Sequence, residues 1–599
     1  MSDPGVGSPD AALDRFFGTF FRLNPVTATF AGAHQHDDRL PDWSPAGLEA
    51  AVAAMRRLRQ DLATPPPART PGATSAAEID DLLADACLEI QAAEIEGRHF
   101  HRANPALFTG EAVFGIVSLI TRRFSPFGDR LRSVTARLEA IPSFFDQARR
   151  SLAPGGAPAA WVARAVRECE GARVLLSFGL DLWLADQASR AAVDACGPGF
   201  DPLRAARAAA VLCTCKAEPE IQSAREAARR ALAAFDAFAA GLKAAAPAPD
   251  SACACGGDLF DLLLARGHWT RESRASLLAE ARAAFDAQTA RVAEAASLEA
   301  PGGWPEIQER LAADHPDVGS YLSAHGEIWR ACREVALAHD LVTWPDRPIR
   351  FVPIPVWTRE AAPFLYYLFY RCPAPLDPPD THECTVTPID TMMPADEIQR
   401  RLQITNTSVI KLNHVVHHGA IGHHVQNAHA AAGASRIGRI AAVDGASRIA
   451  MFCGGTLAEG WACYATDLMA EHGFLSPLEL VAEEHARLRQ LARAIVDIEL
   501  HQGSLDFEGA VAFYANRVGM APSAARNEAC KNSMFPGAAV MYWLGTEGIH
   551  RLRADRQRAL GPRFSLRAFH DRLLSYGAIP VPMIAALMAQ TDESPGRPL

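Results

Sequence analysis

Apolar residues recur every three or four positions along most of this 599-residue chain. The pattern covers four stretches, which are residues 10–60, 76–243, 259–340 and 394–588. A period near 3.6 residues is typical of amphipathic helices that place one face in a core. We therefore predict a mainly α-helical fold.

Two segments interrupt the helical pattern. Residues 347–390 are rich in Pro, Val, Ile, Tyr and Phe, a composition that favours strands or extended chain, so we predict a small strand or extended segment there. The stretch AAAPAPDSACACGG begins at Ala244, and its Pro and Gly residues predict a linker or surface loop over 244–258. The predicted organisation is an N-terminal helical region (1–243), this linker, and a second helical region (259–599) that could be continuous with the first.

Composition and charge narrow the class of protein. The chain is 49% hydrophobic and 21% charged, which is ordinary for a soluble globular protein. Its net charge of −10, without a block of Lys or Arg, favours neither nucleic acid nor an anionic membrane as a partner. The first residues do not have the pattern of a secretion signal, and no apolar run is long enough for a membrane span. We expect a cytoplasmic protein with a small-molecule or peptide substrate; the sequence gives no oligomeric state.

A cluster of histidines is the strongest chemical signal. His417, His418, His423 and His424 fall within eight residues, although the whole chain has 20 histidines. Glu459 follows some forty residues later. Imidazole and carboxylate groups are common ligands of zinc and of other transition metals. The cluster therefore predicts a metal site, with a purely structural role as the alternative.

The spacing of these histidines requires an irregular helix. Six residues separate His417 from His423, a rise of about 9 Å along an unbroken helix, and His424 lies one residue further on. One ion with bonds of about 2 Å cannot bridge that rise. We predict a kink or bulge, which Gly419 and Gly422 would permit.

A second register needs no distortion. His414 and His418 lie four residues apart and would share one face of a regular helix. This is the spacing of the two histidines in the HExxH motif, with Val415 in place of its glutamate. The two registers remain open at this point.

Several motifs occur in an order that resembles one protein family. The segment HHGAIGHHVQ, from His417, resembles the HEAIPGHHLQ signature of the bacterial domain-of-unknown-function 885 family. The EGWACY segment at Glu459 is similar to the EGWALYAE element of that family, and the segment from Arg493 to His501 resembles its RxxxDxGLH stretch. Glu528 to Lys531, PG at 536–537 and YWLG at 542–545 follow its ExxRY, PGQ and SYKxG patterns.

The resemblance implies a helical fold of the zinc-peptidase type and a set of zinc ligands. These ligands would be His417, Glu459 and either His423 or His424. The catalytic glutamate of the family falls on His418. Such a glutamate takes the proton from zinc-bound water, and an imidazole with a pKa near 6.5 could replace it or become a further metal ligand.

The resemblance also implies roles for three residues near the C-terminal end. Tyr542 and His501 would donate hydrogen bonds to an oxyanion, although each is as readily a buried structural residue. Lys531 stands where an arginine would hold a substrate carboxylate, and lysine and arginine are not interchangeable in that role.

These residues predict a metal-dependent hydrolase. Zinc (Zn²⁺) is the expected cofactor, with iron or copper as alternatives, and an amide or peptide-like small molecule is the expected substrate. Because His418 replaces a glutamate, two other functions stay open. The chain could be a metal enzyme of another class, such as a lyase or an iron- or copper-dependent oxidative enzyme, or a non-catalytic ligand-binding descendant.

Overall fold

The computed structural model describes residues 9–63, 76–153, 155–186, 219–365, 373–389, 391–441 and 453–592. Helices make up most of these residues, so the predicted mainly α-helical fold is confirmed. One two-stranded sheet accompanies them. Within the described ranges, no helix combines the length and apolar composition that crossing a bilayer requires.

The helices of the first half form the N-terminal part of the molecule. They are α1 (Pro9–Leu23), α2 (Pro25–Ala31), α3 (Pro45–Ala63), α4 (Ala76–Glu96), α5 (Pro105–Ile120), α6 (Phe127–Ser151), α7 (Ala159–Val174), α8 (Pro219–Ala244), α9 (Gly257–Leu262), α10 (Arg274–Glu299), α11 (Gly303–Ala313) and α12 (Tyr321–Ala338). Helix α1 shows the packing that stabilises these helices. Its Phe16 and Phe20, one turn apart on the same face, are buried and stack with ring centroids 5.9 Å apart.

The predicted strand segment contains both strands of the sheet. Strands β1 (Ile349–Pro353) and β2 (His382–Val386) run parallel, with Ile349 opposite His382 and Pro353 opposite Val386. The short helix α13 (Val356–Arg359) follows β1. Phe351 in β1 lies against the backbone of Gly419, so the sheet packs on the segment that carries the histidine cluster.

The second half carries the histidine cluster on helices. They are α14 (Ala395–Ile404), α15 (Thr407–Val409), a π-helix (Ile410–Gly419), α16 (His423–Ala431), α17 (Arg436–Ile440), α18 (Gly455–Glu471), α19 (Pro477–His501), α20 (Phe507–Val518), α21 (Pro522–Met534), α22 (Val540–Leu560), α23 (Leu566–Leu574) and α24 (Val581–Asp592).

Helices α18 and α22 cross at two glycines. A Cβ atom on Gly460 would lie 2.4 Å from the carbonyl carbon of Gly545, and one on Gly545 would lie 1.9 Å from the carbonyl oxygen of Thr456. No side chain fits between the two backbones, so glycine at both positions permits this close crossing. The crossing places the turn of α18 that carries Glu459 beside the first turns of α22, which carry Tyr542.

The segment 244–258, predicted to be a linker or surface loop, contacts the second half of the chain. A short 3-10 helix (Asp250–Cys253) lies within it, and Cys253 is buried. The N–H of Gly256 donates to the carbonyl oxygen of His501 at 3.1 Å. One hydrophobic core also joins α1, α3 and α4 to the π-helix and α18. The division into regions 1–243 and 259–599 stays a prediction.

Candidate metal centre

A break in the backbone brings the distant histidines together. The π-helix ends at Gly419, and the backbone turns at Ala420 (φ −128°, ψ −118°) before α16 begins at His423. The N–H of Gly422 donates to the carbonyl oxygen of Val416 at 2.9 Å. A Cβ atom on Gly422 would lie 2.0 Å from the carbonyl oxygen of His417. The chain therefore folds back on itself where only glycine fits, and this break replaces the rise of a continuous helix.

Two residues from other parts of the chain hold the broken segment. The indole N–H of Trp329, in α12, donates to the carbonyl oxygen of Gly419 at 2.9 Å. The indole N–H of Trp461, in α18, donates to the carbonyl oxygen of Ile421 at 2.9 Å. Because a break exposes carbonyl groups that a helix would satisfy, these donors stabilise the irregular backbone. Sequence reasoning did not identify Trp329.

Three imidazoles and one carboxylate converge after the break. Ring nitrogens of His417, His418 and His423 lie within 4.8 Å of one another. Glu459 Oε2 lies 3.4 Å from His417 Nε2 and 3.5 Å from His423 Nε2. A tetrahedral ion with bonds of about 2 Å separates its ligand atoms by about 3.3 Å. The donor atoms are thus spaced as the ligands of one metal ion would be.

The electrostatics of the cluster also suit a cation. Burial raises the pKa of Glu459, but His423 and His417 outweigh it and hold that pKa well below its usual value. Burial, and then the neighbouring His417 and His423, lower the pKa of His418 well below 6.5. The site therefore combines an ionised carboxylate with a neutral imidazole, and these are the protonation states that metal ligands need.

The orientation of His418 is fixed by a backbone contact. Its Nδ1 lies 2.7 Å from the carbonyl oxygen of Asn413. A carbonyl oxygen only accepts, so Nδ1 carries the proton and Nε2 carries the lone pair. In this tautomer, Nε2 can accept a proton or bind a metal ion.

The structure does not bring His424 or His414 to the cluster. His424 Nε2 lies 3.1 Å from the carbonyl oxygen of Arg347, and burial lowers the pKa of His424 to about 4. The ring of His414 lies 5.7 Å from that of His325, and burial lowers its pKa to about 4. Of the two alternatives left open for the second histidine, His423 is the one that faces Glu459. The regular register of His414 and His418 does not describe this site.

His501 also lies apart from the cluster. The side chain is fully buried, its Nε2 donates to the carbonyl oxygen of Asn532 at 2.9 Å, and its Nδ1 accepts from the N–H of Cys255 at 3.3 Å. Both ring nitrogens are thus committed to backbone groups, which conflicts with the predicted role as an oxyanion donor. Cys255 lies 246 residues from His501 in the sequence, and Asn532 lies 31 residues from it. Spacing alone could therefore not reveal these partners.

Tyr542 and Lys531 lie together in a second group of polar residues. Arg493 stacks on the ring of Tyr542 at 4.9 Å from its centroid, and Lys531 Nζ lies 6.0 Å from the same centroid. Arg493 also pairs with Glu528, with Nε 2.7 Å from Oε1 and Nη2 3.1 Å from Oε2. Sequence reasoning included Tyr542 and Lys531, but it did not identify this ion pair as part of the site.

One residue links the two groups electrostatically. Cys463 lies one turn after Glu459 in α18 and is buried. Burial, and next Glu459, raise the pKa of Cys463 well above its usual value, whereas Arg493 lowers it. The charges of Glu459 and Arg493 therefore both act on Cys463.

A separate cavity is lined mostly by residues of the N-terminal half. Its volume is about 460 Å³, and Trp43, Phe100, His101, Met534 and Phe535 are among the residues that line it. None of the residues of the histidine cluster lines this cavity. Its size alone assigns no chemistry, so the candidate site is the cluster.

The comparisons with known proteins agree with the fold. The profile of the family described as "Bacterial protein of unknown function (DUF885)" matches residues 25–588. A solved structure of a "putative lipoprotein of unknown function" from Shewanella oneidensis superposes with a TM-score of 0.69 and 21% identity, covering 98% of this chain and all of the other. A "putative lipoprotein" from Colwellia psychrerythraea also has a TM-score of 0.69, at 15% identity and the same coverage. The curated proteins contain no match. At these identities the likeness to solved structures shows the fold alone.

Proposed function

This chain belongs to the DUF885 family of bacterial proteins of unknown function, and from its own residues we propose that it is a metal-dependent hydrolase of amide or peptide-like substrates. The observation that supports the proposal is the convergence of His417, His423 and Glu459. Their donor atoms lie at separations of 3.4 and 3.5 Å, as ligands of a single ion would.

Zinc is the metal that this donor set favours. Two histidines and one glutamate are the ligands of several hydrolytic zinc sites, which keep one position open for water. When bound, zinc lowers the pKa of that water and polarises the substrate carbonyl group. The resemblance to the HEAIPGHH signature and to EGW supports the same three residues.

His418 is the proposed general base. In the family signature that this segment resembles, His418 occupies the position of the glutamate. Its Nδ1 donates to the carbonyl oxygen of Asn413, which leaves the lone pair on Nε2. Because burial lowers its pKa, the imidazole stays neutral across the neutral range, which is the form that a proton acceptor must have. Tyr542 is the proposed hydrogen-bond donor to the oxyanion, and Lys531 lies beside it as a cation for the substrate.

One observation favours a second candidate function. The ring nitrogens of His418, His417 and His423 are mutually close enough for His418 to act as another ligand. A site with three imidazoles suits iron or copper as well as zinc, and would serve a metal enzyme of another class or a ligand-binding protein. The role of His418 therefore separates the two candidates.

Elemental analysis of the purified protein tests the proposal. We expect about one equivalent of zinc, lost in His417→Ala and in Glu459→Ala. His429→Ala is the matched control, because His429 lies in α16 but contacts the carbonyl oxygen of Thr343 instead of the cluster. Zinc-loaded protein should hydrolyse members of a panel of peptides and acylated amino acids. Bound iron or copper would favour the second candidate, and a protein that binds no metal after reconstitution would contradict both metal enzymes and favour a non-catalytic ligand-binding protein.

The location of the protein is a separate proposal. We expected a cytoplasmic protein, whereas two proteins of similar fold bear the name lipoprotein. An envelope location is thus the competing hypothesis. Fractionation of cells that express the protein at its native level separates the two, since a lipid-anchored protein sediments with membranes.

A further inference from the structure

A small cavity lies against the crossing of α18 and α22. Its volume is about 110 Å³. Thr456, about one turn before Glu459 in α18, and Trp543, next to Tyr542 in α22, both line it. None of the residues of the histidine cluster lines this cavity, so it is distinct from the proposed metal centre. A space of this size holds several water molecules or one small organic molecule.

His268 lies in the wall of this cavity and has one ring nitrogen without a partner. The residue follows a short π-helix (Leu263–Gly267), and only 3% of its surface is exposed. Its Nε2 lies 2.7 Å from the carbonyl oxygen of Gly537. Because a carbonyl oxygen only accepts, Nε2 carries the proton and Nδ1 carries the lone pair. Within the part of the chain that the structure describes, Nδ1 has no hydrogen-bond donor.

The lone pair makes His268 a hydrogen-bond acceptor for a molecule in the cavity. Burial lowers the pKa of His268 to about 4, so the ring is neutral at pH 7 and Nδ1 keeps its lone pair. A buried acceptor without a donor is destabilising, and native structures contain few such groups. The next residue, Trp269, has a φ of 59°, which bulky residues rarely adopt and which is found most often at functional sites. A ligand that donates a hydrogen bond would remove the penalty at Nδ1.

The exposed side of the cavity is acidic. Three carboxylates and one cation line it there, namely Glu272, Glu280, Glu547 and Arg551. Arg551 forms an ion pair with Glu280, and Glu272 accepts a hydrogen bond from the hydroxyl group of Thr270. Glu547 makes no hydrogen bond or ion pair with any residue that the structure describes. The excess of carboxylates over cations favours a ligand with a positive charge.

We propose that this cavity binds a small primary ammonium compound, which donates a hydrogen bond to His268 and places its charge beside the acidic side. A primary ammonium group suits both features, because it carries three donors, no acceptor and one positive charge. A metal ion does not suit them, since among the described residues the closely spaced metal-ligating atoms are those of the histidine cluster. The inference goes beyond the proposed hydrolase function and does not depend on it.

Ethylammonium tests the inference on the full-length protein as purified. It is small enough for the cavity and, like the side chain of lysine, is charged at pH 7. Saturation-transfer NMR should show saturable binding with a Kd of about 1 mM or weaker, as expected for a ligand of three non-hydrogen atoms. Tetramethylammonium has the same charge but no N–H group, and ethanol has a donor but no charge. Each should therefore bind at least about tenfold more weakly than ethylammonium.

Two variants locate the bound ammonium group. His268→Phe keeps a ring but removes the acceptor, so it should weaken the binding of ethylammonium at least about tenfold. Glu547→Gln removes a charge at an exposed position and should weaken binding about twofold to fivefold, as expected for an exposed ion pair. The control Glu309→Gln changes an exposed glutamate of α11 that does not line the cavity, so it should leave the Kd unchanged. If His268→Phe does not fold, Glu547→Gln and the comparison of the three probes decide the question.

Several results would overturn the inference. One is the absence of saturable binding up to about 100 mM ethylammonium, a concentration far above the expected Kd. Another is an unchanged Kd in folded His268→Phe or in Glu547→Gln. If tetramethylammonium bound as tightly as ethylammonium, charge alone would account for binding and His268 would not be the acceptor. If ethanol did so, the cavity would belong to a neutral donor such as water. None of these measurements requires a metal ion or turnover, so their outcome is independent of the hydrolase proposal.

Discussion

Seven imidazoles in the middle of this molecule fall into two groups with different surroundings. The front group, His417, His418 and His423, faces the carboxylate of Glu459. The rear group consists of His325, His382, His414 and His424, and its members contact one another and backbone carbonyl groups. The front group has a carboxylate beside its imidazoles, as the proposed metal site requires, whereas burial favours the neutral form of the imidazoles in the rear group.

His423 and His424 show what separates the two groups. They are adjacent residues at the start of α16, so their side chains leave the helix about 100° apart. The break at Ala420–Gly422 sets the rotation of this helix and thereby turns one imidazole to Glu459 and the other to Arg347. Histidine density alone therefore does not define a metal site; the backbone conformation decides which imidazoles meet.

Gly422→Ala should have the largest effect, because it acts on the break itself. The added Cβ would lie 2.0 Å from the carbonyl oxygen of His417, so the backbone must shift. We expect a loss of about 3 kcal/mol in the free energy of unfolding and loss of bound zinc. Urea denaturation and zinc analysis measure both. Gly326→Ala is the control, since a Cβ there meets no atom within 4 Å. If Gly422→Ala kept its zinc, the break would not be what assembles the site.

Alanine substitution of His423 or His424 should separate zinc affinity from the stability of the fold. His423→Ala removes a proposed ligand, so we expect zinc affinity to fall more than about 100-fold. His424→Ala leaves the carbonyl group of Arg347 without its donor, so we expect a loss of about 1–3 kcal/mol in stability and little change in affinity. Competition with a chelator and urea denaturation measure the two quantities. Equal losses of zinc in both variants would contradict the division into front and rear groups.

The sequence predicted the elements of the fold better than the arrangement of the site. Helical periodicity predicted the helices, and the composition of 347–390 predicted strands that the structure places at Ile349–Pro353 and His382–Val386. Each prediction uses a local property, the match between side-chain spacing and backbone period. Family membership over residues 25–588 agrees with the resemblance read from the motifs.

The choice between adjacent histidines could not be read from the sequence, because it depends on distant residues. Trp329 and Trp461 hold the carbonyl groups of Gly419 and Ile421 from 90 and 40 residues away. His501 likewise takes both of its partners from other elements, Cys255 and Asn532. Periodicity reports which face of a helix is apolar, but it contains no information on such tertiary hydrogen bonds.

Within the front group, His418→Gln should separate a base from a ligand. A glutamine amide can still donate to the carbonyl oxygen of Asn413, but it cannot accept a proton at neutral pH. If His418 is the base, we expect activity to fall about 100-fold or more while zinc content stays unchanged. Steady-state rates and elemental analysis on the same sample measure this. Loss of zinc in His418→Gln would show that His418 belongs to the ligand set.

The smallest predicted effect concerns the rear group, whose stability should depend on pH through His382. Burial, and next His424, lower the pKa of His382 to about 3, whereas the unfolded chain has a histidine pKa near 6.5. The folded protein thus binds fewer protons, so this contribution to stability is present above pH 6.5 and is lost as the pH falls towards 3. Between pH 7 and pH 5 we expect His382 to contribute about 2 kcal/mol to the loss in the wild type, so His382→Gln should lose about 2 kcal/mol less than the wild type over this interval. Urea denaturation of both proteins at the two pH values measures the difference. An equal loss in both proteins would show that His382 becomes protonated in the folded state, so that the rear group carries charge.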